Sequence, residues 1–432
     1  MSDILIKNSC EFIKGNVEIP TSKSYANRAL IISALAKGTS ILQNMPECDD
    51  VIYLVKALGK LNIAIEKSGK NLTVHGCGGS FKNVENTELF CGIAGTTSRF
   101  LVSLAALTGK EITISGEGQL LERPVGDLCK ALESIGVFVE YLQKNQCIPV
   151  VINGSNLRSV KNIEIKGNIS SQFISSLLMI TPYLPGNIEI NVQNHPVSAS
   201  YIDITLDIMR SFNVNISHQN YTKYIANSQQ YQAKNYTIEG DWSSASYFFA
   251  LSLLTNSTIT LENLSTSSTQ GDAGIVKIFK QIGLNVAEKS GTFYLAGGVV
   301  TPVEINMENM PDSAMTIICV LAFASGKSTI SGLSTLKNKE TNRLLALHQE
   351  LAKIGVKTEV FEDGITIHGS PDIALEKIVK IETYHDHRMA MCFGILGAKL
   401  GNIVIKNKEV VSKSYPNFWE SISNIGVICQ EY

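Results

Sequence analysis

Long apolar runs are missing from this sequence. The most apolar stretch, Ile317 to Ala324, falls far short of the ~18 residues that a membrane-spanning helix needs, so it reads as a buried helix or strand. A charge bias is missing too. Lys and Arg number 37 against 39 Asp and Glu, a formal net charge of −2. No global basic field exists to draw in nucleic acid or an acidic membrane, so any anion site has to be built locally. The nine cysteines stand at 10, 48, 77, 91, 129, 147, 319, 392 and 429, scattered and never in C-x-x-C spacing. That argues against a disulfide framework and against zinc, and it fits reduced thiols in a cytosolic protein. The N-terminal stretch Met1-Ser-Asp-Ile-Leu-Ile-Lys has no basic segment leading into an apolar one, so no signal peptide is expected. What remains is a globular composition, 44% apolar and 18% charged over 432 residues, long enough for two or more domains.

A pattern recurs along the chain. A helix-like run of small and apolar residues ends in Gly or Asn, and a short strand-like run follows. The anchors are Gly38, Gly109, Gly186, Asn256, Gly326 and Gly401, spaced roughly 72 residues apart. Gly and Asn are the residues that accept the left-handed conformation at a helix C-terminus. A second helix in each unit runs into another such residue: Gly59, Gly136, Asn213, Gly283, Gly355 and Gly426. Each unit reads as β-α-β-α-β-β, used six times, which predicts two groups of three. The polar segment His218 to Asn235 reads as a hairpin ahead of a domain boundary near Gly240; with only Lys223 and Lys234 as cations it makes a poor RNA strip.

Charged residues gather at the predicted helix starts. The stretch Lys339-Glu340-Thr341-Asn342-Arg343 lies where a strand hands over to a helix. Taken alone, it reads either as an anion pocket containing a proton carrier or as a solvated helix turn with i,i+3 and i,i+4 pairs. The other units carry Lys23, Arg28, Arg99, Arg123, Arg388 and Lys413 at comparable places. Cations at a helix N-terminus oppose its dipole, so their recurrence predicts a shared, multiply charged anion as the compensating partner. His385-Asp386-His387 has no zinc-protease spacing, and Gly76-Cys77-Gly78-Gly79 lacks the lysine and helix of a phosphate loop.

Taken together, these residues resemble the enolpyruvyl transferase family, on the branch that acts on shikimate 3-phosphate. The motifs are Ser22-Lys23-Ser24 with Arg28, Ala94-Gly95-Thr96 with Arg99, Glu122-Arg123-Pro124, Ser170-Ser171-Gln172, Ser198 to Tyr201, Pro311-Asp312, Lys339-Glu340-Thr341 with Arg343, and Asp386-His387-Arg388. They span Pro20 to Phe418. The resemblance implies an inside-out α/β fold of two domains, each of three β-α-β-α-β-β units. One domain would run from 21 to 240 and the other would join 1–20 to 241–432, with the active site in the cleft between them. It also implies that Lys23, Ser24, Arg28, Ser170, Ser171, Gln172, Ser198, Tyr201, Asp312 and Lys339 bind shikimate 3-phosphate. Lys23, Gly95, Arg123, Gln172, Arg343, Arg388 and Lys413 would bind phosphoenolpyruvate. Asp312 and Glu340 are the implied proton carriers, with Lys23 and His387 assisting. No metal or organic cofactor is implied, and no nucleic acid or membrane partner; the expectation is a cytoplasmic monomer.

The sequence departs from the usual family pattern at Ile93, Ser98, Phe100, Thr335 and Asn342. Ile93 removes a polar contact beside the implied phosphoenolpyruvate site, which bears on glyphosate response and on the Michaelis constant more than on the chemistry. A sister enzyme that acts on UDP-N-acetylglucosamine uses a reactive cysteine near its arginine cluster. Here Gln119-Leu120-Leu121 precedes Glu122 with no cysteine, and Cys129 falls inside the next helix pattern as a core residue. A non-catalytic copy of the fold would be expected to have lost Asp312, Glu340 or one of the arginines, and none is lost.

Overall fold

The computed structural model describes residues 2–11 and 13–432. The chain divides into two compact units, Thr21–Ile238 and a discontinuous unit of Met1–Pro20 with Glu239–Tyr432.

In the continuous unit the helices are α1 (Lys23–Leu35), α2 (Asp49–Lys60), α3 (Gly95–Ala105), α4 (Gly126–Ser134), α5 (Ser171–Ile180) and α6 (Ser200–Ser211). In the discontinuous unit they are α7 (Trp242–Thr255), α8 (Ile275–Gln281), α9 (Pro311–Leu321), α10 (Arg343–Lys353), α11 (His387–Leu400) and α12 (Phe418–Asn424). Odd and even helices differ in kind. All of α7 is buried, and α1, α3, α5, α9 and α11 are buried over nearly their whole length. Helices that are small and apolar all round belong in an interior. The even helices keep one polar face outward; α10, for example, buries Arg343, Leu344, Ala346, Leu347, Glu350 and Leu351.

Six four-stranded sheets form among the described residues, three in each unit. Each has one parallel pair followed by two antiparallel pairings, the arrangement that a β-α-β-α-β-β repeat produces. In one sheet Thr87–Phe90 runs parallel to Glu111–Ser115, which pairs antiparallel with Val150–Asn153, and that strand with Phe138–Tyr141. The two crossings between units come with an exchange of strands. Lys14–Glu18 precedes α1 in the chain but lies parallel to Thr258–Glu262 in the discontinuous unit. Asn235–Thr237 precedes α7 but lies parallel to Lys37–Gln43 in the continuous one. Glu239 and Gly240 go with the discontinuous unit: both accept hydrogen bonds from the Gln270 amide, at 2.5 and 2.8 Å.

Some of the anchors read from the sequence end helices, whereas Gly38 and Gly326 fall in the strands Lys37–Gln43 and Gly326–Ser331, and Gly59 lies inside α2. Asn256 caps α7 in the left-handed region at φ 53°, and Gly401 follows α11 at φ 71°. The segment His218 to Asn235 contains an antiparallel pairing of Ser217–Gln219 with Lys223–Ala226, turned through Asn220 and Tyr221 at φ 46° and 59°. Each unit has its own apolar core, built around α1, α3 and α5 in one and α7, α9 and α11 in the other.

Candidate active site

The starts of the buried helices carry polar and charged side chains, because a helix enclosed by its neighbours leaves its N-terminus as the place for polar groups. Asp241 caps α7 by accepting from the Ser244 N–H at 2.9 Å, and Ser170 caps α5 through the Gln172 N–H at 3.3 Å. Asp386 caps α11 through the Arg388 N–H at 2.9 Å.

In the discontinuous unit these starts form one ionic network. Asp312, at the start of α9, accepts from Lys339 Nζ at 3.3 Å, Arg343 Nη1 at 3.2 Å and Arg388 Nη2 at 2.9 Å. Glu340 accepts from Arg343 Nη2 at 2.8 Å and Lys413 Nζ at 2.7 Å. Asp386 takes Arg343 in a fork, Nε at 2.7 Å and Nη2 at 3.3 Å. Burial alone raises the pKa of Asp312, but Arg388, Lys339 and Arg343 outweigh it and hold the carboxyl well below its usual range. Burial likewise works against the charge of Arg343, and Asp386, Glu340 and Asp312 reverse that and raise its pKa. His387 stands next to the same centre, its Nδ1 3.5 Å from Asp386 Oδ1.

One expectation changes here. Lys339, Glu340 and Lys413 do not sit in the first turn of a helix. Lys339 and Glu340 lie between a 3-10 turn, Ser334–Asn338, and α10, and Lys413 closes the 3-10 turn Lys408–Lys413 ahead of α12. Arg123 likewise follows the turn Gly118–Glu122, and α4 starts only at Gly126. The opposition between cation and helix dipole is therefore weaker than the spacing suggests. In this unit, moreover, the cations pair with resident carboxylates, Asp312, Glu340 and Asp386.

The continuous unit is differently balanced. Lys23 pairs with Asp50 at 3.1 Å, a carboxylate only 1% exposed. Arg28 is buried and donates to neutral oxygens: Thr205 Oγ1 at 2.7 Å, the Ser24 carbonyl at 2.9 Å, the Tyr201 carbonyl at 3.1 Å and Ser175 Oγ at 3.4 Å. Burial pulls its pKa down to about 10. Arg99 donates to Gln172 Oε1 at 2.6 Å, and Gln172 Nε2 donates to Thr96 Oγ1 at 3.1 Å. Gly95 lies under Arg123: a β-carbon built there would meet Nη1 at 2.3 Å. Ser171 and Ser198 are buried, Ser198 in the left-handed region at φ 53°. Lys23, Arg28 and Arg99 lie near the starts of α1 and α3, and Arg123 packs over the first residue of α3, a setting suited to phosphate or carboxylate ligands.

Several supporting residues were not assigned from the sequence. Asp50 and Asp386 hold the key cations, yet as lone acids at helix starts they read as ordinary caps. Ser243 Oγ and Tyr247 OH accept from Arg388 Nη2 and Nη1 at 3.0 and 3.2 Å. Asp272 accepts from the Ser313 hydroxyl, and burial, then the nearby Asp312, push its carboxyl up to about 6. The hydroxyl oxygen of Thr335 is buried without a hydrogen-bond partner. Cys129 is buried inside α4, its thiol pushed up to about 12 by burial. Among the described residues no group of three or more His, Cys, Asp or Glu is arranged to hold a metal ion, and no helix is long and apolar enough to cross a membrane.

Comparison with known proteins is consistent along the whole length. Residues 8–422 match the family model described as EPSP synthase (3-phosphoshikimate 1-carboxyvinyltransferase). The 3-phosphoshikimate 1-carboxyvinyltransferase of Colwellia psychrerythraea is 37% identical over 417 residues, 96% of this chain and 97% of that one. The enzyme of the same name from a Sulfurovum species is 37% identical over 429 residues, 98% and 99% of the two chains. Among solved structures, EPSP synthase from Acinetobacter baumannii superposes with a TM-score of 0.83 at 23% identity over the full length of both chains. The enolpyruvyl transferase NikO from Streptomyces tendae gives 0.80 at 14% identity, covering 100% of this chain and 99% of that one, a likeness of fold. With its six repeated sheets, its clusters of arginine, lysine and carboxylate, and these full-length relatives, the chain belongs to the EPSP synthase (3-phosphoshikimate 1-carboxyvinyltransferase) family.

Proposed function

We propose a specific division of labour for the reaction of this family: transfer of the enolpyruvyl group of phosphoenolpyruvate to the 5-hydroxyl of shikimate 3-phosphate. In the addition step the hydroxyl oxygen bonds to C2 of the enol, its proton leaves, and C3 gains a proton. In the elimination step the bond from C2 to the phosphate oxygen breaks, inorganic phosphate departs, and C3 loses a proton to restore the double bond.

The observation that carries the reading is the network in which Asp312 and Glu340 are each held by two or more cations. Asp312 takes the hydroxyl proton, and Glu340 gives the methylene its proton and later removes one, with Lys23 and His387 assisting. Before substrate binds, the cations around Asp312 make it a poor base. Phosphate and carboxylate groups of the substrates compete for Lys339, Arg343 and Arg388, and each cation drawn away returns basicity to Asp312. The acid–base chemistry is therefore switched on by the ligands on which it acts.

Lys23, Ser24, Arg28, Ser170, Ser171, Gln172, Ser198, Tyr201, Asp312 and Lys339 form the shikimate 3-phosphate set. Lys23, Gly95, Arg123, Gln172, Arg343, Arg388 and Lys413 form the phosphoenolpyruvate set. Planar guanidinium forks suit a substrate with both a phosphate and a carboxylate. The reading includes a cytoplasmic monomer; the nine free thiols, six of them buried, support the first part, and sedimentation tests the second.

The deciding experiment is phosphate release from the purified protein with phosphoenolpyruvate, adding shikimate 3-phosphate or UDP-N-acetylglucosamine in parallel. Release with shikimate 3-phosphate alone is expected. Release with neither would reopen a non-catalytic role.

A further inference from the structure

His387 and Arg388 emerge from a loop with an uncommon backbone. Residues 382 to 386 join the strand Val379–Ile381 to α11. Within it Tyr384 and His385 are both left-handed, at φ 51° and 56°. Two successive residues with β-carbons do not choose that conformation unaided, and such a turn persists only where its surroundings hold it.

Outside α10, Lys406 Nζ reaches Glu382 Oε1 at 2.8 Å and Asn407 Nδ2 lies 3.3 Å from His385 Nδ1; the buried contacts come from α10. Its Glu350 is fully buried. Oε1 accepts from the Tyr384 hydroxyl at 2.6 Å, and Oε2 accepts from the Glu382 backbone N–H at 3.1 Å. Lys353 Nζ donates to the same Oε2 at 2.6 Å and to the Lys380 carbonyl at 3.2 Å, which balances the buried charge. Seven residues earlier on α10, Arg343 grips Asp386. A separation of seven is two helical turns, so Arg343 and Glu350 lie on one face. On α10 the loop is therefore pinned at two points, once beyond the left-handed pair and once within it. The Arg343 pin belongs to the ionic network. The Glu350 pin serves no group in that network; all three of its donors come from the loop or from the Lys353 that steadies it.

We infer that Glu350 and Tyr384 are positioning residues for enolpyruvyl transfer, their hydrogen bond fixing the left-handed turn that aims His387 and Arg388. The inference rests on the roles proposed above for those two side chains.

Tyr384→Phe removes one hydroxyl and keeps the ring. Glu350→Gln keeps the size but leaves one acceptor oxygen to face three donors. Both variants are expected to retain the parent circular dichroism and to bind shikimate 3-phosphate within about twofold of the parent by calorimetry. Both are expected to lose kcat/KM for phosphoenolpyruvate by on the order of 10- to 100-fold, the scale of a small misplacement of a binding or catalytic group. The double variant should lose less than the product of the two single losses, because the two residues share the bond between the Tyr384 hydroxyl and Glu350. Arg388→Ala is measured alongside. If it is impaired while Tyr384→Phe and Glu350→Gln stay within twofold of the parent, the inference is overturned and the proposed role of Arg388 stands. If Arg388→Ala is itself unimpaired, that role falls and the inference falls with it. Equal losses toward both substrates would mean that the pair is merely structural, which also overturns it. Should Glu350→Gln fail to fold, Tyr384→Phe decides by the same criteria.

Discussion

Replacing Glu340 by Gln separates two things that the network does at once. The substitution keeps the shape and removes one negative charge lying 2.7 Å from Lys413 Nζ and 2.8 Å from Arg343 Nη2. The network then falls from four cations against three carboxylates to four against two. A unit charge at 4 Å and an effective dielectric of 20 is worth about 4 kcal/mol. Glu340 is 12% exposed, so solvent and salt reduce this. A gain in affinity for inorganic phosphate of roughly tenfold, about 1.4 kcal/mol, is the expected remainder. Turnover should move the other way. Loss of a general acid–base group typically costs ~10²- to 10⁴-fold, or about 2.7 to 5.4 kcal/mol of transition-state stabilisation. The assay is steady-state phosphate release at saturating substrates, with equilibrium titration of inorganic phosphate at low and high salt. Near-normal turnover would remove Glu340 from the chemistry. Lost turnover with weakened phosphate binding would refute the electrostatic reasoning and make Glu340 a structural support.

Other consequences are as direct. Asp272 keeps its proton in the folded protein up to about pH 6, against a reference value of 3.8. Folding stability should therefore fall as pH rises between those values, by up to about 3 kcal/mol. Asp272→Asn should raise the denaturation midpoint at pH 8 and leave it nearly unchanged at pH 4; the same gain at both would contradict this. Gly95→Ala forces a methyl against the flexible end of Arg123, so the protein should fold while the KM for phosphoenolpyruvate rises several-fold and that for shikimate 3-phosphate does not. Arg123→Ala should weaken phosphoenolpyruvate more than shikimate 3-phosphate, and equal losses by calorimetry would show the assignment to be wrong. Asp50→Asn takes away the charge 3.1 Å from Lys23 Nζ; turnover should drop about tenfold or more at unchanged circular dichroism, since the amide no longer offers the ammonium an ionic partner, and unchanged turnover would remove Asp50 from the positioning of Lys23.

The sixfold repeat was readable because it rests on local rules: Gly or Asn at helix ends and polar groups at helix starts. Asn256 and Gly401 show that such residues mark boundaries even when nothing else about the packing is known. The crossings were implied only by the family resemblance, and the strand pairings that go with them were not readable. Lys14–Glu18 and Asn235–Thr237 find partners more than a hundred residues away, and no local pattern names a partner. The cations were visible because they stand out at helix starts. Their partners Asp50 and Asp386 were not, because an acid at that position is also the commonest cap. Glu350 was less visible still: in sequence it reads as one more surface acid on an amphipathic helix, and only burial and the Tyr384 hydroxyl reveal it. The short 3-10 turns before α4, α10 and α12 blurred the helix starts by several residues, because they satisfy the same polar preferences.

The pairing of early strands with late ones sets a schedule for synthesis. The unit Thr21–Ile238 has all its partners once Asn235–Thr237 has emerged, and it can close on the ribosome. The strand Ile4–Ile6 has to wait, because its neighbours are Ile403–Ile405 and Cys429–Glu431. At translation rates of about 5–20 residues per second, the interval is roughly 10 to 40 s. During that time one unit is finished while the strand Ile4–Ile6 is still without its sheet. A nascent chain of this protein is therefore most exposed to misassembly at the early strands Ile4–Ile6 and Lys14–Glu18, whose partners are made late.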